Sequence, residues 1–350
     1  MYAETFESQS IAVMRQQIGE AQKIVLLSHM NADGDACGSI LGCTLMLDQA
    51  AKKAQSIVPI LPNGCPKTME WLPKSNRILS GERQQGQCIS LIEEADLIVC
   101  LDFNVPARVD FLQDALVQSK AFKVLVDHHH NPATDQFDIV FSDPKISSTA
   151  ELMLWLSIEL WERKFLNADV SCCLYTGLRT DTGGFAFSCS QPSCFDAAAV
   201  LVSYDIHPAE IHNRIVNTFT YNRMMFYGFA LSHRLEIYPE QRVALFYFSQ
   251  EDQQRFNVGG EDMEGLVNYT LMMQDIEVGA LLREEPKRTK VSLRAKYNVD
   301  VNLLAQQLGG GGHTKAAGAT CLTTLDDTLA NVKRLLCVAG KEPLKMIPAV

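Results

Sequence analysis

Apolar residues along this chain come in two rhythms. Short continuous runs predict buried strands: KIVLLSH at 23–29, SIVPIL at 56–61, DLIVCLD at 96–102 and FKVLVD at 122–127. Between several of them lie stretches with helical spacing, including residues 6–21 and the segment ACGSILGCTLMLDQA after Asp35, with small residues at its start. Continuous apolar strands separated by helices predict a parallel sheet covered on both faces. Ser147-Ser148-Thr149 ahead of Glu151 predicts a helix start, with Ser148 and Glu151 as a capping box and a helix to about residue 163. Another helix is predicted over 168–179, and the turn-rich TDTGGFAFS closes this half near 188.

Residues 193–230 read as a helical connection interrupted near Pro208, after which the pattern changes. RLEIYPE and RVALFYFS, 234–240 and 242–249, predict strands. IEVGALLREE and TKVSLRAKY, 276–285 and 289–297, predict a hairpin around Pro286-Lys287. A helix at 301–308, a glycine run, a strand at 317–323 and a helix at 326–337 complete the pattern. Three segments result: 1–190, a connector at 191–230, and 231–345.

At 350 residues the chain exceeds one ordinary domain, and two is the natural expectation. No apolar run reaches the roughly 18 to 20 residues that span a bilayer. The first ten residues, MYAETFESQS, lack the basic and apolar regions of a signal peptide, so a cytoplasmic location is the default expectation. Eleven cysteines show no CxxC pair and no regular framework. Cys37, Cys43, Cys100, Cys172, Cys173 and Cys337 fall within apolar or helical patterns, which predicts packed free thiols in a reducing compartment. The net charge of −10 argues against a long duplex-binding surface, which needs many Lys and Arg contacts to phosphate. Small anionic substrates stay open to such a chain, because bound cations and a few arginines invert the local field.

The candidate chemistry sits where strands end. Open parallel sheets bind ligands beyond the carboxyl ends of their strands. The first predicted strand ends at His29 and runs on to Asp33 and Asp35; the third ends at Asp102; the fourth ends at Asp127 and His128; Asp181 lies in the glycine-rich turn. One such aspartate is more often a cap or turn residue. Together, in neighbouring strands, these carboxylates repel one another unless divalent cations neutralise them. An oxygen-rich set with one or two imidazoles suits Mn²⁺, with Mg²⁺ as the alternative. Two cations about 3.5–4 Å apart would share Asp102 as a bridging carboxylate and activate water. His29 and Asp33 are expected to hold one, and Asp35, His128 and Asp181 the other. His129 is expected to face a phosphate. His130 reads equally well as a surface or supporting residue.

These residues resemble the DHH phosphoesterase superfamily. The pieces are HMNADGDACGS at 29–39, LDFN at 101–104, VDHHHNP at 126–132 and TGLRTDTGGFAFS at 176–188. Ala32 stands where the family has proline, which alters loop stiffness and removes no ligand. SLRAKYNVDVNLLAQQLGGGGHTKAAG, 292–318, resembles the DHHA1 substrate-binding domain, with Ala295 in place of its usual serine. The resemblance implies an N-terminal parallel-sheet α/β domain, a smaller C-terminal mixed α/β domain and an active site in the cleft between them. It implies that Arg294 makes a bidentate phosphate contact and that Gly310, Gly311, Gly312 and His313 supply donors. A close-packed glycine turn is the plainer explanation of that run. Arg108 is a further candidate phosphate contact, with a solvated helix residue as its alternative. Asp127 is expected to orient its histidine neighbours. Arg179 and Asn31 have open roles.

Within the superfamily, the compact two-domain arrangement is most similar to the nanoRNase and pAp phosphatase group. That implies hydrolysis of very short RNA and of the 3′-phosphate of adenosine 3′,5′-bisphosphate (pAp). Cyclic-di-AMP and pApA phosphodiesterases are the alternative enzymatic reading, ahead of exopolyphosphatase and a non-catalytic nucleotide-binding regulator. The expected partners are short RNA or a small nucleotide, with no membrane and no long duplex. The resemblance also implies a homodimer, with the helices in 193–230 connecting domains, lining an interface, or both.

Overall fold

The computed structural model describes residues 6–187, 189–341 and 343. The ends of the predicted domains and the last residue of TGLRTDTGGFAFS lie outside these. The chain divides into two compact units, with the boundary between Thr218 and Phe219.

The first unit is built on six strands: β1 (Lys23–Leu27), β2 (Ser56–Leu61), β3 (Leu79–Ser80), β4 (Leu97–Leu101), β5 (Phe122–Asp127) and β6 (Ile139–Ser142). All pair in parallel, in the order β3-β2-β1-β4-β5-β6. The two edge strands β3 and β6 are not marked by the pattern because they are only two and four residues long. β1 and β4 are the first strands of the two halves, so the chain's direction across the sheet reverses between them. That reversal opens a crevice at their carboxyl ends.

Alternation along the central strands feeds two cores. Ile24 and Leu26 of β1, Leu97, Val99 and Leu101 of β4, and Val124 and Val126 of β5 join one. Val25, Leu27, Ile98, Cys100 and Leu125 join the other. Burial on both faces is why these strands read as unbroken apolar runs.

The unit's helices are α1 (Ser8–Glu20), α2 (Gly34–Ala50), α3 (Gln85–Glu93), α4 (Gln113–Gln118), α5 (Thr149–Trp161), α6 (Ala168–Asp181), α7 (Pro192–Val202) and α8 (Pro208–Val216). Helix α2 is buried from Gly34 through Thr44, and α5 from Thr149 through Ser157. A helix apolar all round belongs inside. α2 and α6 approach closely through glycine: a Cβ on Gly38 would stand 2.4 Å from the Cys173 carbonyl oxygen and 2.8 Å from the Gly177 nitrogen. Two expectations need correction. Ser148 accepts from the Glu151 N–H at 3.0 Å, but the box does not close, because the Glu151 carboxylate turns to the Ser147 N–H at 3.1 Å. Helix α6 runs two residues past 179, so Asp181 is its last residue and not part of the following turn.

The second unit holds β7 (Leu235–Tyr238), β8 (Val243–Phe248), β9 (Val278–Glu285), β10 (Arg288–Ala295), β11 (Gly311–Gly312) and β12 (Ala316–Cys321) in a mixed sheet ordered β11-β12-β10-β9-β8-β7. Only β8 and β9 pair in parallel. The predicted hairpin is β9–β10, with Glu285 opposite Arg288 and Lys287 at φ 66°. Its helices are α9 (Tyr221–His233), α10 (Gln250–Phe256), α11 (Asn268–Leu271), α12 (Val301–Gln307) and α13 (Leu325–Leu335). α12 and α13 cover one face through Val301, Ala305 and Val332. Phe226 and Ala230 of α9 pack on Phe246 and Phe248 on the other. All eleven cysteines are free thiols. Cys337 is exposed rather than packed, because α13 ends two residues earlier. No helix among the described residues is long and apolar enough to cross a membrane.

Candidate metal centre

Three neighbouring strands bring the candidate ligands to one edge. β1 delivers the loop His29–Asp33, β4 delivers Asp102, and β5 delivers Asp127–His129. Leu27 pairs with Cys100, and Leu101 with Val126, so all three strands end at the same level. The Asp102 N–H donates to the Val126 oxygen at 3.1 Å while Asp102 itself sits at φ 66°. A left-handed aspartate at a strand end is strained, and it re-aims the side chain into the crevice.

The chain orients each ligand before any ion arrives. His29 Nδ1–H donates to the Met30 carbonyl at 2.9 Å, which leaves the Nε2 lone pair free, 3.4 Å from Asp102 Oδ2. Asp33 is the N-cap of α2, and its Oδ1 accepts from Asp35 N–H at 2.9 Å and Ala36 N–H at 3.1 Å. Asp35 does the same for a different helix. Its two oxygens accept from Thr149 N–H at 2.6 Å and Ala150 N–H at 2.9 Å, at the start of α5. The Thr149 hydroxyl donates to Asp102 Oδ1 at 2.9 Å. His128 Nε2 lies 3.5 Å from Asp181, 3.7 Å from Asp102 and 3.9 Å from Asp35. Asp127 is fully buried and accepts from both the backbone N–H and Nδ1–H of His129, at 3.1 and 2.7 Å.

Three groups result, each with donor atoms within 4.8 Å of one another: His29, Asp33 and Asp102; Asp35, His128 and Asp181; and Asp102, His128 and His129. Asp102 and His128 each belong to two. Electrostatics makes the same point. Burial, then the charges of Asp102, Asp181 and Asp33, push the Asp35 carboxyl well above the usual range. Burial, then Asp33 and Asp181, do the same to Asp102. Asp181 is pushed up to about 6 by burial and by Asp33. Burial, then His129, pushes His128 down, which favours the neutral imidazole that a metal requires. Among the described residues no lysine or arginine forms an ion pair with these carboxylates; their ion-pair contacts are all to histidine. Crowded carboxylates, Asp35 and Asp102 among them buried, beside imidazoles fit divalent cations.

The remaining predicted residues are not members of these donor groups. His130 is exposed, and only its backbone oxygen is used, accepting from the Asn104 amide at 2.8 Å. Arg108 is exposed, and its carbonyl accepts from the Met30 N–H at 2.8 Å. Arg179 turns away to His212 on α8. Arg294, Gly310, Gly311, Gly312 and His313 belong to the second unit. There the sheet gathers them: Arg294 pairs with Ala316, Gly312 pairs with Ala317, and His313 N–H donates to the Ala316 oxygen at 2.8 Å. Burial presses the Arg294 guanidinium's pKa downward, against the opposing charge of Glu264. Gly310 N–H donates to Ala305 O at 2.8 Å, so it is not free for a ligand. Gly312 packs so closely that a Cβ would meet the Ala317 Cα at 2.6 Å. Sequence reasoning placed nothing at the end of β2. Asn63 is there, accepting from the Asn31 N–H at 2.6 Å. The turn pair Asn63-Gly64 after an apolar strand was the available signal.

Residues 23–178 match the DHH family, N-terminal domain, and residues 241–336 match the DHHA1 domain. The bifunctional oligoribonuclease and PAP phosphatase NrnA of Thermus thermophilus is 29% identical over 309 residues, covering 85% of this chain and 83% of its own. The probable bifunctional oligoribonuclease and PAP phosphatase NrnA of Streptococcus mutans is 26% identical over 317 residues, covering 89% and 94%. Among solved structures, an exopolyphosphatase-related protein from Bacteroides fragilis superposes with a TM-score of 0.90 at 33% identity, over 95% of this chain and 97% of that one. With its DHH domain followed by a DHHA1 domain, and with a candidate two-metal site at the carboxyl edge of its parallel sheet, the chain belongs to the DHH family of metal-dependent phosphoesterases.

Proposed function

We propose that this protein hydrolyses short oligoribonucleotides and the 3′-phosphate of pAp. The observation that carries the reading is the convergence of His29, Asp33, Asp35, Asp102, His128 and Asp181 on one crevice. His29 and Asp33 would hold one divalent cation, Asp35, His128 and Asp181 a second, and Asp102 both. Bound there, the cations supply a water of lowered pKa and positive charge for the phosphoryl oxygens.

The chain's own residues do the rest. Asp35 is fixed by the N-terminus of α5 and Asp102 by Thr149, so neither carboxylate needs to reorganise when a substrate arrives. Asp127 holds His129 through Nδ1 and so fixes the direction of Nε2. His129 would then present Nε2 to a phosphoryl oxygen. No protein nucleophile is needed. Arg294 and His313 are the proposed grips for a second phosphate or the far end of a nucleotide, and Arg108 is a third candidate.

The substrate class is supported by the relatives named above as oligoribonuclease and PAP phosphatase, which this chain matches over most of both lengths. The test is a panel of initial rates with Mn²⁺: pAp, a 5′-phosphorylated RNA dinucleotide, a 5-mer RNA, pApA, cyclic di-AMP and polyphosphate. Turnover of pAp and short RNA well above the rest is expected. Selective turnover of cyclic di-AMP or pApA would replace this reading with a signalling-nucleotide phosphodiesterase.

A further inference from the structure

A groove of about 660 Å³ lies in the first unit, away from the metal ligands. One wall is the turn that follows β2, with Lys67 and Trp71. The other is one face of α8, with Glu210, Asn213 and Arg214, and Asn217 just past the helix end. The spacing of the first three puts them on the same helical face. The Arg214 guanidinium lies 5.4 Å from the centroid of the Trp71 ring. The indole is oriented by its N–H, which donates to the Thr68 oxygen at 2.9 Å. Lys67 and Arg214 are exposed, and neither forms an ion pair with a carboxylate among the described residues. None of these residues has a part in the metal centre.

We infer that this groove is a subsite for a nucleotide of a single-stranded RNA, beyond the one whose phosphate is cleaved; this rests on the oligoribonuclease reading above. Single strands are held by aromatic rings that stack on bases and by cations that track phosphates. Trp71 with Arg214 supplies a stacking platform, and Lys67 with Arg214 the charge. Asn213 and Asn217 offer donors and acceptors for base edges or a 2′-hydroxyl. Glu210 in the same groove opposes a bare polyphosphate, so the mixed lining favours a strand that carries bases.

The groove's wall leaves the carboxyl edge of the sheet beside the β1 loop. Asn63 accepts from the Asn31 N–H at 2.6 Å. Trp71 lies eight positions after Asn63, so their Cα atoms are within about 29 Å of one another even if the chain were fully extended. A single nucleotide such as pAp bound at the metals has no second base to place there.

The test compares kcat/KM with Mn²⁺ on pAp and on a 5-mer RNA, together with binding of a labelled, hydrolysis-resistant phosphorothioate 5-mer to the full chain. The variants are Lys67→Ala, Arg214→Ala, Trp71→Ala and Trp71→Phe. Trp71→Ala is expected to lower kcat/KM for the 5-mer and to weaken 5-mer binding about tenfold, with pAp changed less than about twofold and with Trp71→Phe restoring most of the loss. If Trp71→Ala does not fold, the two exposed cations decide. Equal losses on pAp and the 5-mer, or no loss on either, would overturn the subsite and leave the proposed function standing. If the wild type cleaves neither substrate, the proposed function falls. The subsite is then supported if 5-mer binding depends on these side chains, and overturned if it does not.

Discussion

His29 and Asp102 face each other across the seam between β1 and β4, with Nε2 3.4 Å from Oδ2. The gap is too long for a good hydrogen bond and suits two ligands of one ion. The first prediction concerns Asp102, which belongs to two of the three donor groups. Asp102→Ala should lower Mn²⁺-dependent hydrolysis by about 10³-fold or more while leaving circular dichroism unchanged. Full activity in a folded variant would remove the bridging role.

Metal and pH should trade places in the protein's stability. Asp181 has a folded pKa of about 6, above the ordinary 3.8, and Asp35 and Asp102 are also raised. The folded metal-free protein therefore holds protons that the unfolded chain gives up. Its stability falls as pH rises from about 4 through 6 and beyond. Metal-free protein should melt at a higher temperature at pH 5.5 than at pH 8, and added Mn²⁺ should raise Tm more at pH 8. Differential scanning fluorimetry with and without EDTA measures both. Asp181→Asn should flatten the metal-free slope; an unaltered slope would mean that other groups set it.

Thr149 joins two ligands that lie far apart in sequence. Its N–H binds Asp35 and its hydroxyl binds Asp102. Thr149→Val keeps the first bond and the side chain's shape but removes the second. The expected outcome is a loss of about 10–100-fold in Mn²⁺ affinity or rate, with activity largely kept in Thr149→Ser. A metal titration of kcat for both variants checks it, and equal behaviour of the two would show that the hydroxyl is idle.

Arg294 sits half-buried on β10 with no carboxylate partner among the described ion pairs. Arg294→Ala should raise KM for pAp and short RNA about tenfold or more while leaving Mn²⁺ affinity as it was. Lysine should not rescue it, since a point charge cannot reproduce a bidentate fork. Steady-state kinetics over a metal series separates the two effects. A shift in metal affinity with KM unmoved would count against a substrate role.

Much of this architecture was legible because parallel strands buried on both faces leave unbroken apolar runs, as β1, β4 and β5 do. Their ends could then be read as one edge, and the aspartates and histidines written there fell into one place. Short edge strands such as Ile139–Ser142 carry too few residues to announce a period. The capping of α5 by Asp35 was illegible for another reason. The local signal, Ser148 with Glu151, was genuine as far as the Ser148 cap, yet two further N–H groups of that helix are satisfied from 114 and 115 positions away in the chain. Sequence spacing carries no trace of such a contact. The same holds for the turn after β2, whose proximity to the β1 loop exists only once the strands have paired.

Glycine in α2 provides the last prediction, because two of its glycines face different kinds of neighbour. At Gly38 a new Cβ would press on backbone, the Cys173 oxygen at 2.4 Å and the Gly177 nitrogen at 2.8 Å. At Gly42 it would press on the Leu174 side chain, at 2.6 Å, which can rotate away, with the Cys173 Cβ at an ordinary 3.8 Å. Gly38→Ala must therefore part α2 from α6 and should cost about 3 kcal/mol, the upper end for overpacking, against about 1 kcal/mol for Gly42→Ala. Those two helices also carry Asp35 and Asp181, whose donor atoms must stay together with His128 to hold an ion. Gly38→Ala should thus weaken Mn²⁺ binding as well as stability, whereas Gly42→Ala should keep near-normal metal affinity. Urea unfolding and a Mn²⁺ titration on both variants decide this. If both lose stability and metal affinity to the same degree, the close backbone approach at Gly38 is not what sets the distance between the ligands.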